Sequence, residues 1–490
     1  MERRDFLKFA ACAAAGFVVA DEVFARNFKD SRRPNFVFIL VDDLGWRDLG
    51  CFGSRFYETP NVDKLASEGM RFTDAYAACP VCSPTRASIM TGKYPARLGL
   101  TDWIPGRQAN AGRYAAMDIK PPAFAQELAL TEVTIAEALK KGGYSTFHAG
   151  KWHLGKKGYY PEDQGFDVNI GGCEYGSPPG YFWPWKKNNR DIGLSAAGYE
   201  GEYLTDRLVT ETLKFIESHK DGAFFVYLSF YTVHIPLEGK KELIEKYRAK
   251  AKRLGISDDQ RFRKADGKNV RQVQDNAIYA AMVETMDSNV GRVMAKLDEL
   301  GIGDDTVIIF MSDNGGLSTA EGRPTSNLPL RAGKGGLYEG GIREPMIVKW
   351  PGVVKGGSEC NEAVVSCDFY PTMLEVAGLE IMDEQHIDGV SFAGLLTGKG
   401  GLDRDAIYWH YPHYSNQGGV PGGGVRCGDW KLIEWFENGR LELYNLKVDI
   451  AEKHDLSGEM AEKVNELHDK LLRWRRRVDA SMPIGGAVKQ

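Results

Sequence analysis

The segment Asn35–Val41 has the sequence NFVFILV, a short apolar run that ends directly in Asp42-Asp43. Three runs of the same kind follow along the chain, at residues 223–232, 306–311 and 346–350. Short apolar runs rich in β-branched residues are typical of strands that are buried on both faces of a sheet. The four runs therefore predict the centre of a parallel or mixed β-sheet.

Helical patterns lie between and around these runs, at residues 61–76, 131–141, 203–219, 274–300 and 367–379. Strands that alternate with amphipathic helices build layered α/β folds. We therefore expect an α/β fold with a large mixed, mostly parallel sheet sandwiched by helices, in a domain of residues 34–400. Residues 156–201, rich in glycine and aromatic residues, are expected to form an irregular surface insertion.

The pattern changes after about residue 400, where shorter strands are predicted at residues 425–431, 432–436 and 440–446. Asn438-Gly439 is the strongest hairpin signal in the chain. A helix over residues 460–478 follows. We therefore expect residues 401–490 to form a small α+β subdomain with an antiparallel sheet and a terminal helix.

Composition narrows the class of protein. The chain has 490 residues, with 62 Lys and Arg against 67 Asp and Glu, and a formal net charge of −5. Hydrophobic residues at 43% and charged residues at 26% are ordinary for a globular protein and exclude a disordered or polytopic membrane protein. The mild acidity argues against a dedicated nucleic-acid binder. The 8 cysteines are too sparse for a disulfide scaffold.

The N-terminus predicts export. Arg3-Arg4 is followed by Asp5, Phe6, Leu7 and Lys8, and then by an apolar run over residues 9–20. This arrangement resembles a twin-arginine signal, which passes folded proteins to the twin-arginine export machinery. We expect residues 1–25 to be removed, leaving a periplasmic or secreted protein with no membrane segment. An ordinary N-terminal helix and a general secretory signal are the alternatives.

A metal site is predicted where the apolar runs end. Asp42 and Asp43 follow the first run, and Asp313 and Asn314 follow the run at 306–311. Ligands in open α/β sheets bind at the carboxyl ends of the strands, where these residues would converge. Three carboxylates packed together repel one another unless a cation lies among them. An all-oxygen set favours Ca²⁺, with Mg²⁺ second, although both pairs are also common turn formers.

A second group of reactive residues begins at Cys79 and Cys82, which could form a redox pair or half of a zinc site. No second cysteine pair at zinc spacing exists in the sequence, and nothing around the pair indicates a thioredoxin-like unit. Cys82 is followed by SPTR and, a little later, by Thr91-Gly92.

Residues 82–92 resemble the signature of type I, formylglycine-dependent sulfatases, which include the arylsulfatases and belong to the alkaline-phosphatase-like superfamily. The other motifs of that family also have similar counterparts in order over residues 34–446. They are VDDLG at 41–45, GKWHLG at 150–155, HIP at 234–236, SDNG at 312–315 and GKGG at 333–336.

The resemblance implies a mechanism for sulfate-ester hydrolysis. A maturase would oxidise Cys82 to formylglycine, whose hydrated aldehyde attacks sulfur and later expels sulfate. The implied catalytic residues are Cys82, Arg86, Lys151, His153, His234 and Lys334, and the implied metal ligands are Asp42, Asp43, Asp313 and Asn314. In that scheme His234, with Lys334, assists the leaving alcohol, and His153 is the base of the second half-reaction. Several cationic groups around one pocket also suit a dispersed anion such as sulfate.

The substrate is less well defined by the sequence. Candidates for an outer pocket are aromatic, histidine and arginine residues that could each equally pack in the core: Trp46, Arg47, Trp103, Arg107, Trp183, Trp185, His410, His413 and Arg426. Residues 240–271 hold 12 Lys and Arg against 5 Asp and Glu, which favours a solvated helical face over a polyanion guide. Together with export, these features predict a sulfated carbohydrate substrate. A phosphodiesterase or phosphonate-ester hydrolase of the same superfamily and a non-catalytic sulfated-glycan binder are the alternatives.

Overall fold

The computed structural model describes residues 33–106, 119–265 and 267–485. Its strands are β1 (Asn35–Val41), β2 (Met70–Tyr76), β3 (Ser145–Gly150), β4 (Val168–Ile170), β5 (Lys186–Lys187), β6 (Arg190–Asp191), β7 (Phe224–Ser229), β8 (Phe262–Ala265), β9 (Lys268–Arg271), β10 (Thr306–Ser312), β11 (Arg343–Lys349), β12 (Ser358–Cys360), β13 (Val364–Val365), β14 (Ile407–Tyr411), β15 (Gly422–Cys427), β16 (Trp430–Trp435) and β17 (Arg440–Asn445).

The α-helices of the described chain are α1 (Pro60–Glu68), α2 (Cys82–Thr91), α3 (Pro95–Leu98), α4 (Ile135–Lys141), α5 (Leu204–Ser218), α6 (Lys241–Leu254), α7 (Asp258–Arg261), α8 (Ala277–Glu299), α9 (Glu339–Ile342), α10 (Phe369–Val376), α11 (Ala393–Thr397) and α12 (Ala461–Arg477). No helix in these ranges is long and apolar enough to cross a membrane.

The main sheet has nine strands in the order β12-β2-β11-β10-β1-β7-β3-β4, with β13 also paired to β2. The central strands β10, β1, β7, β3 and β4 run parallel. Strand β11 is antiparallel to β10, and β2 is antiparallel to β11. The predicted mixed, mostly parallel sheet is therefore confirmed.

Strand β1 is buried along its whole length and separates two hydrophobic cores. Phe36, Phe38 and Leu40 belong to one core, whereas the intervening valines and isoleucine belong to the other. This is the alternation expected of a strand covered on both faces. Helices α1, α5 and α8 contribute to the core on one face of the sheet, and α2, α4 and α10 to that on the other.

The C-terminal sheet is antiparallel, in the order β14-β15-β16-β17. Helix α12 shares a third hydrophobic core with this sheet, in which Leu467 and Leu471 lie with Val425 and Leu432. The predicted hairpin at Asn438-Gly439 is confirmed between β16 and β17, where Gly439 has a φ of +69°. A positive φ is readily available to glycine, which explains the residue at this turn.

Three expectations about secondary structure are wrong. The helix predicted over 61–76 ends at Glu68, and after Gly69 the chain continues as strand β2. The strands predicted at 425–431 and 432–436 are divided instead by a turn at Gly428, whose φ is +57°. The insertion at 156–201 is irregular, but it is not confined to the surface, because Tyr181 and Trp185 are buried in the main core.

Buried ion pairs join the C-terminal sheet to the main sheet. Lys431 of β16 lies 2.8 Å from both Glu339 of α9 and Glu452, and all three side chains are fully buried. Arg426 of β15 lies 2.6 Å from Asp74 of β2. Since a buried charge is costly without its partner, these pairs fix how the two sheets meet.

Lys431→Met should therefore lower the free energy of unfolding by about 3–5 kcal/mol, because it leaves the buried carboxylate of Glu452 without its cation and Glu339 with Arg343 alone. Lys447→Met is the matched control, since Lys447 is 73% exposed and 3.8 Å from Asp429. It should change the free energy of unfolding by about 0–1 kcal/mol. Urea unfolding measures both, and equal stabilities would contradict the role given to Lys431.

Candidate active site

Four neighbouring parallel strands carry polar residues to one edge of the main sheet. Asp42 and Asp43 follow β1, and Asp313 and Asn314 follow β10. Lys151 and His153 follow β3, and His234 lies just beyond β7. Because β10, β1, β7 and β3 are adjacent in the sheet, their carboxyl ends lie side by side. The residues scattered through the sequence therefore meet in one site.

Each of the three carboxylates is paired with a different cation. Lys151 Nζ lies 2.8 Å from Asp42 Oδ2, and Lys334 Nζ lies 2.5 Å from Asp43 Oδ1. The guanidinium of Arg86 lies 2.7 Å from Asp313 Oδ2. Arg86 also donates hydrogen bonds to the Lys151 carbonyl at 3.0 Å and to the Ser229 hydroxyl at 2.5 Å.

Three buried oxygen atoms of this cluster have no hydrogen-bond partner in the part of the chain that the structure describes. Asp42 Oδ1, Asp43 Oδ2 and Asn314 Oδ1 accept no hydrogen bond within the described residues. Ligand atoms of Asp42, Asp43 and His234 lie within 4.8 Å of one another. Buried polar atoms are rarely left without partners, and carboxylate and amide oxygens are the ligands that hard cations prefer. The residues present therefore fit a bound Ca²⁺ or Mg²⁺.

The ionised forms of Asp42 and Asp43 are stabilised to different extents. Burial raises the pKa of Asp42 well above its ordinary value, and the nearby carboxylates of Asp313 and Asp43 raise it further. Burial also acts on Asp43, but Lys334 and His234 outweigh it and lower the pKa of Asp43 to about 2. A cation at the free oxygens would stabilise the ionised form of both carboxylates.

Cys82 is the first residue of α2 and lies beside His153. The distance from Cys82 Sγ to His153 Nδ1 is 3.3 Å. On the other side of its ring, His153 Nε2 contacts the carbonyl oxygen of Ile104, which can only accept a hydrogen bond. The proton of the neutral imidazole is therefore on Nε2, and the lone pair of Nδ1 faces residue 82.

Both groups of this pair are neutral. Burial, together with the charge of Lys151, holds the pKa of His153 well below its ordinary value. Burial also raises the pKa of the Cys82 thiol, so that a thiolate is disfavoured. An unmodified Cys82 is thus a poor nucleophile, whereas His153 presents an unprotonated Nδ1 to the group at position 82.

His234 lies beside the unpaired oxygen of Asp43. Its Nε2 is 3.6 Å from Asp43 Oδ2, and its Nδ1 lies 2.9 Å from the Ile235 carbonyl oxygen. Burial lowers the pKa of His234 to about 3, although Asp43 opposes that shift. His234 and Lys334 both face the same cleft as Cys82.

That cleft has a volume of about 730 Å³, and Cys82, His153, His234 and Lys334 all line it. Residues that the sequence analysis missed form much of its wall: Ile104, Gln126, Glu174, Tyr175, Arg190, Glu321, Asn416 and Gln417. Ser229, which accepts the hydrogen bond from Arg86, was also missed. A serine inside the otherwise mostly apolar run 223–232 was the available signal.

Most of the candidates for an outer substrate pocket contact other parts of the protein and do not line the cleft. Trp103 lines the cleft, and Arg107 lies outside the described residues. The other seven make contacts elsewhere in the protein: Trp46 with Thr73, Arg47 with Gly53 and Leu328, Trp183 with Ser195, Trp185 with Tyr181, His410 with Ser481, His413 with Thr101, and Arg426 with Asp74. None of these seven is among the described residues that line the cleft, which favours the packing alternative for them.

The chain belongs to the sulfatase family. The family model described as Sulfatase matches residues 34–379, and the model for the C-terminal part of N-sulphoglucosamine sulphohydrolase matches residues 333–477. A sulfatase of Formosa agariphila is 30% identical over 95% of this chain and 93% of its own length. The N-acetylgalactosamine-6-sulfatase of Rattus norvegicus is 31% identical over 87% of this chain and 76% of its own.

Solved structures agree with this assignment. The chain is similar to Ps i-CgsB, with a TM-score of 0.74 and 29% identity, over 93% of this chain and 95% of the other. A second structure of that protein contains k-i-k-neocarrahexaose. The protein is thus a sulfuric ester hydrolase with an alkaline-phosphatase-like fold.

Asn314 is a better residue than Asp313 for testing the metal site. Replacing Asp313 by alanine would also leave the buried Arg86 without its carboxylate partner. Ca²⁺ at about 100 times its dissociation constant should stabilise the wild type by about 2.7 kcal/mol and raise its unfolding temperature. Asn314→Ala removes one free oxygen and should show a clearly smaller rise at the same Ca²⁺ concentration. Thermal unfolding in Ca²⁺, in Mg²⁺ and in chelator measures this effect.

Asn416→Ala is the control, since Asn416 lines the same cleft but donates its hydrogen bond to Glu321, and this variant should keep the full rise. Stoichiometric zinc bound through Cys79 and Cys82, with no response to Ca²⁺, would contradict the assignment.

Proposed function

We propose that the protein is an exported sulfatase that hydrolyses sulfate esters of a sulfated carbohydrate to the alcohol and inorganic sulfate. Its nucleophile is a formylglycine made from Cys82 by a maturase. The observation that carries the proposal is the position of Cys82: it lines the cleft, 3.3 Å from the lone pair of His153. Oxidation to the aldehyde replaces a neutral thiol by a hydrated group with two hydroxyls, one to attack and one to release the product.

Asp42, Asp43, Asp313 and Asn314 are the proposed ligands of Ca²⁺, with Mg²⁺ as second choice. The bound cation would supply electrostatic stabilisation to the negative charge that develops on the sulfate oxygens. The free oxygens of Asp42, Asp43 and Asn314 support this set. Asp313 contributes through its carboxylate while also holding Arg86 in place.

The remaining residues hold the substrate and move protons. Lys151 and Arg86 lie on the side of residue 82, where they orient it and the sulfate group. His234 and Lys334 lie beyond Asp43 and assist the departing alcohol. His153 accepts a proton at Nδ1 once the alcohol has left. One histidine lies beside residue 82 and the other beside Asp43, so a separate proton-transfer group is available for each half of the reaction.

A carbohydrate substrate is supported by the cleft and by the relatives. Trp103 and Tyr175 line the cleft, and the guanidinium of Arg190 lies 4.8 Å from the centre of the Tyr175 ring. Aromatic faces suit sugar rings, and an arginine suits a neighbouring anionic group. Of the proteins named above, one is an N-acetylgalactosamine-6-sulfatase and another has been solved in complex with k-i-k-neocarrahexaose.

The decisive experiment is mass spectrometry of the exported protein. The peptide that contains residue 82 should have lost sulfur and gained oxygen, and the N-terminus should begin after Ala20 or Ala25. The same preparation should hydrolyse nitrophenyl sulfate faster than phosphate mono- or diesters. Cys82→Ala should abolish turnover, because no hydroxyl pair can form.

An unmodified cysteine in an active, exported enzyme would overturn the proposal. Preference for phosphate diesters or phosphonate esters would favour the alternative hydrolase of the same superfamily. Retention of a folded precursor after Arg3-Arg4 is changed to Lys-Lys would identify the twin-arginine route, which is exacting about that pair.

The two histidines should give different kinetic signatures. Loss of a positioned acid or base costs about 10²–10⁴-fold in rate. His234→Ala should lose far more activity on a sugar sulfate, whose alcohol is a poor leaving group, than on nitrophenyl sulfate. His153→Ala should slow both substrates alike and release one nitrophenol per active site in a rapid burst. A burst with His234→Ala and none with His153→Ala would mean that the roles are exchanged.

A further inference from the structure

A second cleft, of about 510 Å³, adjoins the catalytic cleft. Lys334 and Gln417 line both clefts, so the wall between them is shared. The hairpin of β8 and β9 forms one side of the second cleft, and Trp435 and Arg440 of the C-terminal sheet form another. A chain bound with one sugar at residue 82 can therefore continue into this space.

The second cleft is strongly basic. Among the described residues that line it, every charged side chain is a cation except Glu452, and Glu452 is itself paired with buried Lys431 at 2.8 Å. The cations outside the catalytic cluster are Arg263, Lys264, Lys268, Arg271, Arg331, Arg440 and Lys453. Arg271 is paired with Asp275 and Arg440 with Glu442, whereas no ion pair with a carboxylate is recorded for Arg263 or Lys264 among the described residues. This concentration of positive charge contrasts with the net charge of −5 of the whole protein.

Two features indicate a binding site rather than a solvated surface. The guanidinium of Arg331 is held in place by hydrogen bonds to the Tyr444 hydroxyl at 3.1 Å and the Glu452 carbonyl at 2.9 Å, and it lies 3.8 Å from the centre of the Tyr338 ring. An oriented, planar guanidinium matches the geometry of a sulfate or carboxylate group. In addition, the Nε1 of Trp435, which is 5% exposed, has no hydrogen-bond partner in the described chain.

We infer that this cleft is a second anion subsite, which binds another sulfate group of the same polysaccharide chain while one sulfate ester is hydrolysed. The inference rests on the proposed function and extends it: the substrate is a polysulfated chain rather than an isolated sugar sulfate. It also revises the expectation for residues 240–271. Helix α6 is a basic, largely exposed helix, but the hairpin of β8 and β9 lines the cleft.

The test compares two double variants that remove the same charge from the same basic stretch. Arg263→Gln with Lys264→Gln changes exposed residues of the cleft, and Lys252→Gln with Arg253→Gln changes exposed residues of α6 outside it. The probe is dextran sulfate, measured as an inhibitor of nitrophenyl sulfate hydrolysis and, by calorimetry, as a ligand of the full chain carrying Cys82→Ala. Glucose 6-sulfate and a single-stranded oligonucleotide are the comparison ligands.

At low ionic strength the cleft variant should bind dextran sulfate about fivefold to tenfold more weakly, while the α6 variant binds as the wild type does. Both variants should keep the wild-type turnover of nitrophenyl sulfate and the wild-type inhibition by glucose 6-sulfate. High salt should reduce the difference between them.

Equal weakening in both variants, or none in the cleft variant, would overturn the inference. Tighter binding of the oligonucleotide than of dextran sulfate would assign the cleft to a different polyanion. Since calorimetry uses a chain that cannot turn over, its result stands whether or not the formylglycine mechanism is correct.

Discussion

Three carboxylates buried at one edge of a sheet are the constraint on which the site depends. Asp42, Asp43 and Asp313 are each excluded from water, and a buried charge without a partner costs several kcal/mol. Each carboxylate takes its cation from a different segment, through Lys151, Lys334 or Arg86. The ion pairs therefore fix three loops against the sheet, and the oxygens that remain free define where a cation can bind.

The sequence alone was sufficient to predict the central strands of the sheet and the polar residues that meet at their ends. Strands β1, β7 and β10 consist mostly of apolar residues, a pattern that predicts them, and the polar residues that follow them were expected to converge. Strand β3 was missed because its sequence, STFHAG, is not a continuous apolar run. Its position was nevertheless implied by the GKWHLG motif that follows it. Strand β2 was taken for a helix because apolar residues continue past Gly69 with spacing compatible with either structure.

The walls of the cleft were much harder to predict. Arg426 and Trp185 have the chemistry of a sugar site, but each has a buried partner that only the three-dimensional structure places beside it. Glu321 and Gln417, by contrast, are separated by almost a hundred residues and come together through a hydrogen bond of 2.8 Å. The segment carrying Lys334 and Glu339 is common to both family models, and it joins the catalytic edge to the C-terminal sheet.

The burial of helix α2 limits when an enzyme can modify Cys82. All ten of its residues are buried, and Cys82 at its start is only 4% exposed. An enzyme that must hold residues 82–91 as an extended peptide cannot do so once the helix has docked against the sheet. Any enzymatic change at Cys82 must therefore precede folding, while the nascent segment is still extended. If residue 82 is converted to the proposed formylglycine and the chain leaves the cytoplasm already folded, that conversion has to be complete before export begins, and a chain that folds too early would leave without its nucleophile.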